Sequence, residues 1–123
     1  MAKDPRGGDL KRYLAEDDGG PVVMLNLLRF VDGGRARYRD YVAAAAPFLA
    51  KAGGELLYAG DGSTALVADD GQAWDAVLLV RYPSRAAFTT MVADPEYQRF
   101  THVRTAALKE AVLQATTPWP SKS

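Results

Sequence analysis

A chain of 123 residues with 48% apolar and 24% charged residues has the size and balance of one globular domain, able to bury roughly 65% of its unfolded surface. Lys and Arg total 15 and Asp and Glu total 15, so the zero net charge argues against a nucleic-acid partner; the cluster Arg29, Arg35, Arg37 and Arg39 reads as the solvated start of a helix. With no cysteine, disulfides, thiolate nucleophiles and sulfur-ligated zinc are excluded.

Residues 1–20 are polar and are expected to be a peripheral N-terminal segment. Asp9 to Glu16 can form a short helix, with Leu10, Tyr13 and Leu14 on one side, until "DDGG" breaks it. This segment has no apolar stretch of signal-peptide length, and no window approaches the roughly 18 apolar residues of a membrane span. A cytoplasmic protein without a membrane partner is therefore expected. The main domain is placed at 21–118 and a tail at 119–123.

"PVVMLNLLRF" (21–30) reads as a strand, β-branched at its start and bounded by glycine turns. Tyr38, Tyr41, Val42, Ala45, Leu49 and Ala52 recur at helical spacing, which predicts a helix over 34–54. Gly53-Gly54 stop it, and Pro47 inside it should bend it. Residues 55–68 are strand-like with a Gly-Asp-Gly interruption, either one bent strand or two short pieces. A turn at 69–72 leads into a strand over 74–82. Ser84 caps a short helix carrying Ala87, Phe88, Met91 and Val92. Asp94 caps a second helix, with Pro95 at its first position, where a missing N–H does no harm, and this helix is predicted to run to about Lys109. "AVLQATT" (111–117) is the last strand.

That order is an α+β, ferredoxin-like βαββαβ arrangement: a four-stranded antiparallel sheet with helices on one face. The two central strands do not alternate. Val22 to Leu25 and Val77 to Val80 are consecutive apolar runs, so both faces of the sheet want to be dry. Helices can cover one face only. The simplest remedy is a second copy packed sheet to sheet about a two-fold axis; the alternative is that the N-terminal segment or the tail folds over the open face.

The blocks "MLNLLRF", "YRDYVAAAAPFLAKAGGELLYAG", "WDAVLLVRYPSRAAFTTMVADPEYQ" and "RTAALKEAVLQAT" together resemble a bacterial domain-of-unknown-function family of the dimeric α/β-barrel superfamily. EthD-like proteins and antibiotic-biosynthesis monooxygenases belong to the same superfamily. The resemblance spans about residues 22 to 117 and implies a homodimer whose two sheets close into a barrel. Its members include cofactor-independent oxygenases, haem-degrading enzymes, isomerases and small-molecule binders, so the fold by itself does not name a reaction.

Asn26 is the one strongly polar residue within an apolar strand, on a face with Met24, Leu28 and Phe30. It either orients a ligand carbonyl or is satisfied by neighbouring backbone. In the related monooxygenases an asparagine on the first strand points at substrate or haem, and Asn26 matches that place. Arg104 falls on the inward side of the last helix with Tyr97, Phe100, Ala107 and Leu108. A guanidinium there must be paired, either with an acidic or enolate ligand or with an internal acid such as Asp75. His102, the single histidine, is the one ordinary near-neutral acid–base group, and helical spacing turns it outward from Arg104. Trp74 and Asp75 open the third strand, as an aromatic wall and a general base or as a strand-end cap and a turn aspartate. Tyr38, Tyr41 and Tyr58 could line a pocket, although aromatics at helical spacing are more often core. Asn26, Trp74 and His102 are the residue types the haem-degrading relatives use, but the Trp-to-His interval here is much longer, which argues against haem. No metal motif, phosphate loop or nucleophile elbow is present, and no cofactor is expected.

The resulting expectation is an uncharacterised small-molecule-binding homodimer. Asn26, Arg104, Trp74 and Tyr41 would contact the ligand, and Asp75 or His102 would move a proton. It is either a cofactor-independent enzyme, of oxygenase or isomerase type, acting on a small aromatic or polyketide-like acid, or a non-catalytic binding or structural dimer.

Overall fold

The computed structural model describes residues 2–120; Met1 and residues 121–123 of the expected tail lie outside the described residues. A short helix α1 (Gly7–Ala15) precedes β1 (Val22–Phe30), α2 (Gly34–Lys51), β2 (Glu55–Asp61) and β3 (Ala76–Tyr82). Three helices follow, α3 (Arg85–Ala93), α4 (Pro95–Gln98) and α5 (Thr101–Ala107), and β4 (Leu108–Thr116) ends the sheet. The strands are antiparallel in the order β2-β3-β1-β4, which is the ferredoxin-like arrangement read from the sequence.

β1 and β3 are the interior strands, and both carry consecutive apolar residues that suit two covered faces. The register of β1 sets Asn26 against Leu78 of β3 and Leu113 of β4. Val22, Met24, Asn26 and Leu28 are buried towards the helices. On the other face Leu25, Leu27, Val77, Leu79 and Val112 remain only half-buried. The core therefore lies in one layer, between sheet and helices. One part gathers Leu28, Tyr38, Leu78, Ala107 and Leu108; the other gathers Val22, Met24, Tyr82, Phe88, Met91 and Tyr97.

The local signals act as chemistry requires. The Gly53 N–H donates to the Ala50 carbonyl (3.0 Å) and the Gly54 N–H to the Leu49 carbonyl (2.9 Å). With Gly53 at φ 75°, this is the Schellman closure that ends α2. Ser84 Oγ accepts from the Ala87 N–H at 3.1 Å, and Asp94 Oδ1 accepts from the Glu96 N–H at 2.9 Å. Pro47 is carried within an unbroken α2.

The single helix expected from Asp94 to about Lys109 is two, α4 and α5, separated by a turn at 99–100, and three boundaries also differ from the expectation. The strand-like stretch from residue 55 ends at Asp61, because the chain turns back there: the Gly62 N–H donates to the Asp75 carbonyl at 2.8 Å. Beyond it Leu66 and Val67 stand 94% and 96% exposed, so residues 62–75 form a loop and not a second strand piece. The third strand opens at Ala76 and not at Trp74. The last helix stops at Ala107, and β4 begins at once with Leu108, fully buried and paired with Phe30. "ALKEAVL" has good helix formers, but pairing with β1 overrides that local preference. No helix of the described residues is long and apolar enough to cross a membrane.

Candidate functional site

The layer between sheet and helices is incompletely filled. It holds a cavity of about 920 Å³, floored by Met24, Asn26, Leu78 and Val80 and walled by Tyr41, Ala45 and Leu49 of α2. Arg104 and Thr105 of α5 close one side. Lys3, Asp4, Pro5 and Leu10, from the segment ahead of β1, complete the wall there. The lining is mainly apolar, with a few polar groups converging on it, which is the usual constitution of a small-molecule site.

Asn26 is 9% exposed, and its Nδ2 donates to the Met24 carbonyl at 3.3 Å, a long and weak bond. That bond leaves most of the amide's capacity available towards the cavity it lines. Arg104, also 9% exposed, donates from Nη1 to the Lys3 carbonyl (2.7 Å) and to Asp4 Oδ1 (3.3 Å). Asp4 Oδ1 also accepts from Thr105 Oγ1 at 2.9 Å.

Two phenols, Tyr38 and Tyr41, stand beside this guanidinium. The rings of Tyr38 and Tyr41 lie 5.4 Å apart, and the Tyr41 and Tyr97 hydroxyls share a hydrogen bond. Burial pushes the Tyr38 phenol up, against the opposing pull of the Arg104 cation. Burial likewise raises Tyr41, and the neighbouring Tyr97 hydroxyl adds to the effect. Tyr38 and Tyr41 therefore stay neutral at physiological pH and can donate hydrogen bonds to a carbonyl or carboxylate oxygen. His102 is exposed and lines the rim.

Of the residues singled out by sequence, the structure brings Asn26, Tyr38, Tyr41 and Arg104 to this cavity, with His102 at its edge. Asp75 and Trp74 lie elsewhere, at the end of β1. Asp75 Oδ2 accepts from the Phe30 N–H at 2.9 Å, and its own N–H donates to the Leu28 carbonyl at 2.8 Å. The carboxylate thus extends the β1–β3 ladder. Trp74 lies under the Arg29 guanidinium at 4.4 Å, and Arg29 also pairs with Glu110 at 2.7 Å and donates to the Gly71 carbonyl at 2.8 Å. This cluster holds the 62–75 loop to the sheet. Arg104 pairs with Asp4 and not with Asp75, the internal acid suggested by sequence. Tyr58, on edge strand β2, is 54% exposed and does not line the cavity. Sequence reasoning missed Lys3, Asp4 and Thr105. Asp4 and Thr105 meet across 101 positions, and no periodicity announces such a contact. No group of three or more potential metal-ligating His, Cys, Asp or Glu residues occurs among the described residues.

A four-stranded antiparallel sheet in the order β2-β3-β1-β4, with its helices on one face and a cavity beneath them, defines the ferredoxin-like α+β class. Residues 29–116 match the model of a domain of unknown function, DUF1330, and the chain belongs to that family. It is similar over nearly all of its length to the RPA0582 protein of unknown function from Rhodopseudomonas palustris. That crystal structure superposes with a TM-score of 0.87 at 29% identity, covering 97% of this chain and 98% of the other. Its methylated form gives 0.89 at 30% identity, covering 99% and 98%. A dimeric ferredoxin-like protein of unknown function from Jannaschia sp. shares the fold at 14% identity, with a TM-score of 0.62 over 80% of this chain and 100% of the other. A NIPSNAP domain protein from Burkholderia xenovorans does so at 15% identity and 0.58, over 80% and 94%. No curated protein matched the chain.

Proposed function

We propose that this chain is a small-molecule-binding homodimer whose ligand, a small aromatic or polyketide-like acid, lies in the cavity between sheet and helices. The observation that carries this reading is the cavity of about 920 Å³ itself, apolar over most of its wall, with Asn26, Tyr41 and Arg104 converging on it. Its charged lining comprises Arg104, Lys3 and Asp4, a balance that favours an acid over a cationic ligand. Pairing of two subunits is supported by the half-buried apolar residues of the open sheet face and by the Jannaschia neighbour, which is described as dimeric.

Two modes of action follow. As a cofactor-independent oxygenase or isomerase, the protein would hold an enolate between Asn26, Arg104 and the neutral phenols, with His102 as the proton carrier at the rim. As a binding module it would hold the acid without turnover. The engagement of the Asp75 carboxylate at the Phe30 N–H, away from the cavity, favours the second mode, because it removes the other candidate base.

The test is titration with benzoate and 2-naphthoate, followed by amide NMR, beside an Ala45→Phe variant that fills the cavity from α2. Binding with shifts at Asn26 and Leu78, lost in A45F, is the expected result. No binding at millimolar concentration, or binding indifferent to A45F, would sink the reading. Consumption of a bound acid, followed by chromatography with and without oxygen, separates enzyme from binder.

A further inference from the structure

The contact between Asp4 and Arg104 is unequal. The Arg104 side chain is 11% exposed and the Asp4 side chain 55%. A guanidinium buried to that degree needs an anion, whereas a carboxylate so exposed needs no cation. The pair meets through one oxygen at 3.3 Å, long against the usual 2.7–2.9 Å of a charge-assisted bond, and it is not the two-pronged fork an arginine can offer. The same oxygen takes the Thr105 hydroxyl at 2.9 Å. Arg104 and Thr105 thus present a carboxylate cradle that backbone-tethered Asp4 fills only in part, and all three residues line the cavity.

The segment bearing Asp4 buries none of its residues 2–6, and hydrogen bonds hold it. Lys3 and Ala2 each offer one carbonyl, to Arg104 (2.7 Å) and to the outward Ala111 N–H on edge strand β4 (2.8 Å). Packing against the core is provided by Tyr13, whose ring lies 5.9 Å from that of Phe88. The Tyr13 hydroxyl donates to the Arg85 carbonyl at 3.0 Å, while Arg85 Nη1 donates back to the Tyr13 carbonyl at 2.8 Å. Residues 2–6 therefore form a strap across one wall of the cavity, ahead of the fixed helix α1.

We propose that Arg104 and Thr105 form the carboxylate subsite of this cavity, and that the chain's own Asp4 occupies it in the free protein as an internal competitor that a ligand carboxylate displaces. The inference rests on the acid-binding reading above and adds to it the ligand's anchoring group and the movement that admits it. An untethered monocarboxylate can take the bidentate geometry that Asp4 does not reach. When it does so, the strap leaves Arg104 and the Ala2–Ala111 bond opens.

The experiment compares 2-naphthoate with 2-naphthamide, its neutral isostere, on the full chain and on Asp4→Asn. Asp4 is half exposed, so this substitution leaves the core intact. Asp4→Asn is expected to bind 2-naphthoate about tenfold more tightly, the scale of one charge-assisted contact released from competition, with 2-naphthamide unchanged. In the unaltered protein, 2-naphthoate should hasten hydrogen exchange at the Ala111 amide and 2-naphthamide should not. The competitor is overturned, with the cavity reading left standing, if Asp4→Asn leaves naphthoate affinity unchanged, tightens both probes equally, or if the Ala111 amide exchanges no faster with naphthoate bound. If neither probe binds either protein, both readings fall together.

Discussion

Tyr82 isolates the effect of a single buried phenol. Its hydroxyl makes only a weak contact, 4.0 Å to Met91 Sδ, yet burial pushes its ionisation up, as it does for Tyr38 and Tyr41; Tyr13 is raised to about 12. The sign of the linkage follows. In the unfolded chain these phenols ionise near their ordinary value of about 10, and the folded protein holds the proton to higher pH. Their contribution to stability is therefore complete below pH 10 and is lost as pH rises towards the folded values. Each fully buried phenol takes away up to about 1.4 kcal/mol per pH unit in that window. Urea midpoints should be flat from pH 8 to the mid-nines and fall by pH 11. Tyr82→Phe should fall less steeply, by about one proton's worth, because it removes an ionising group and little contact. An identical slope in the variant would show that Tyr82 ionises freely in the folded state. Legibility at this scale divides by distance along the chain. Asn26 and Arg104 stand out as polar residues in apolar patterns. Asp4 and Thr105 do not, because their meaning arises only when segments a hundred positions apart are laid together. Asp75 has the composition of a base, yet the loop beneath it turns its carboxylate onto a backbone N–H, which no local pattern encodes.

Among the elements, the junction of α2 with α5 is a close-packed seam. A Cβ on Gly34 would stand 2.2 Å from the Ala107 carbonyl oxygen and 3.2 Å from Phe30 Cβ. That same carbonyl accepts the Val31 N–H at 3.1 Å, so it is not free to retreat. Alanine in place of glycine normally gains a helix about 1 kcal/mol. Here the obstacle is backbone, and overpacking of this kind costs about 1–3 kcal/mol. Gly34→Ala should therefore destabilise the fold by up to about 2 kcal/mol in chemical denaturation; a stabilised variant would mean that the seam has slack. The start and stop signals around it were legible, since glycine pairs, Ser84 and Asp94-Pro95 act within a few residues of themselves. The point where α5 becomes β4 was not. Residues 108–110 suit a helix when considered alone, and only the hydrogen bonds waiting on β1 make them a strand. The Gly-Asp-Gly break at the end of β2 was legible, but the stretch beyond it was not: Leu66 and Val67 have the composition of a strand and nothing to pack against.

For the whole molecule the question is what covers the open sheet face. A compact monomer of 13.3 kDa should expose about 6,400 Å², whereas this chain exposes 8106 Å². Part of the excess belongs to the 62–75 loop and to Trp119, which is 93% exposed. The rest includes a patch that should not stand in water, where Leu25, Leu27, Val77, Leu79 and Val112 remain half-buried in the middle of the sheet. The N-terminal segment does not shield them, since it contacts the helix side through Arg104, Arg85 and the cavity wall. A stable interface needs about 800 Å² from each partner, an area that a four-stranded sheet face can supply. Leu79 is the sharpest probe, paired with Leu25 on one side and Tyr58 on the other. On a monomer, lysine there would sit at a partly solvated position and change stability by less than about 1 kcal/mol. In a sheet-to-sheet dimer it would bury an unpaired charge at the two-fold contact, which the assembly cannot tolerate. Sedimentation should therefore show the unaltered protein as a dimer at micromolar concentration and Leu79→Lys as a folded monomer with the same far-ultraviolet spectrum. A monomeric parent would leave this face bare and the homodimer without support, and a Leu79→Lys protein that still dimerised would place the contact on another surface.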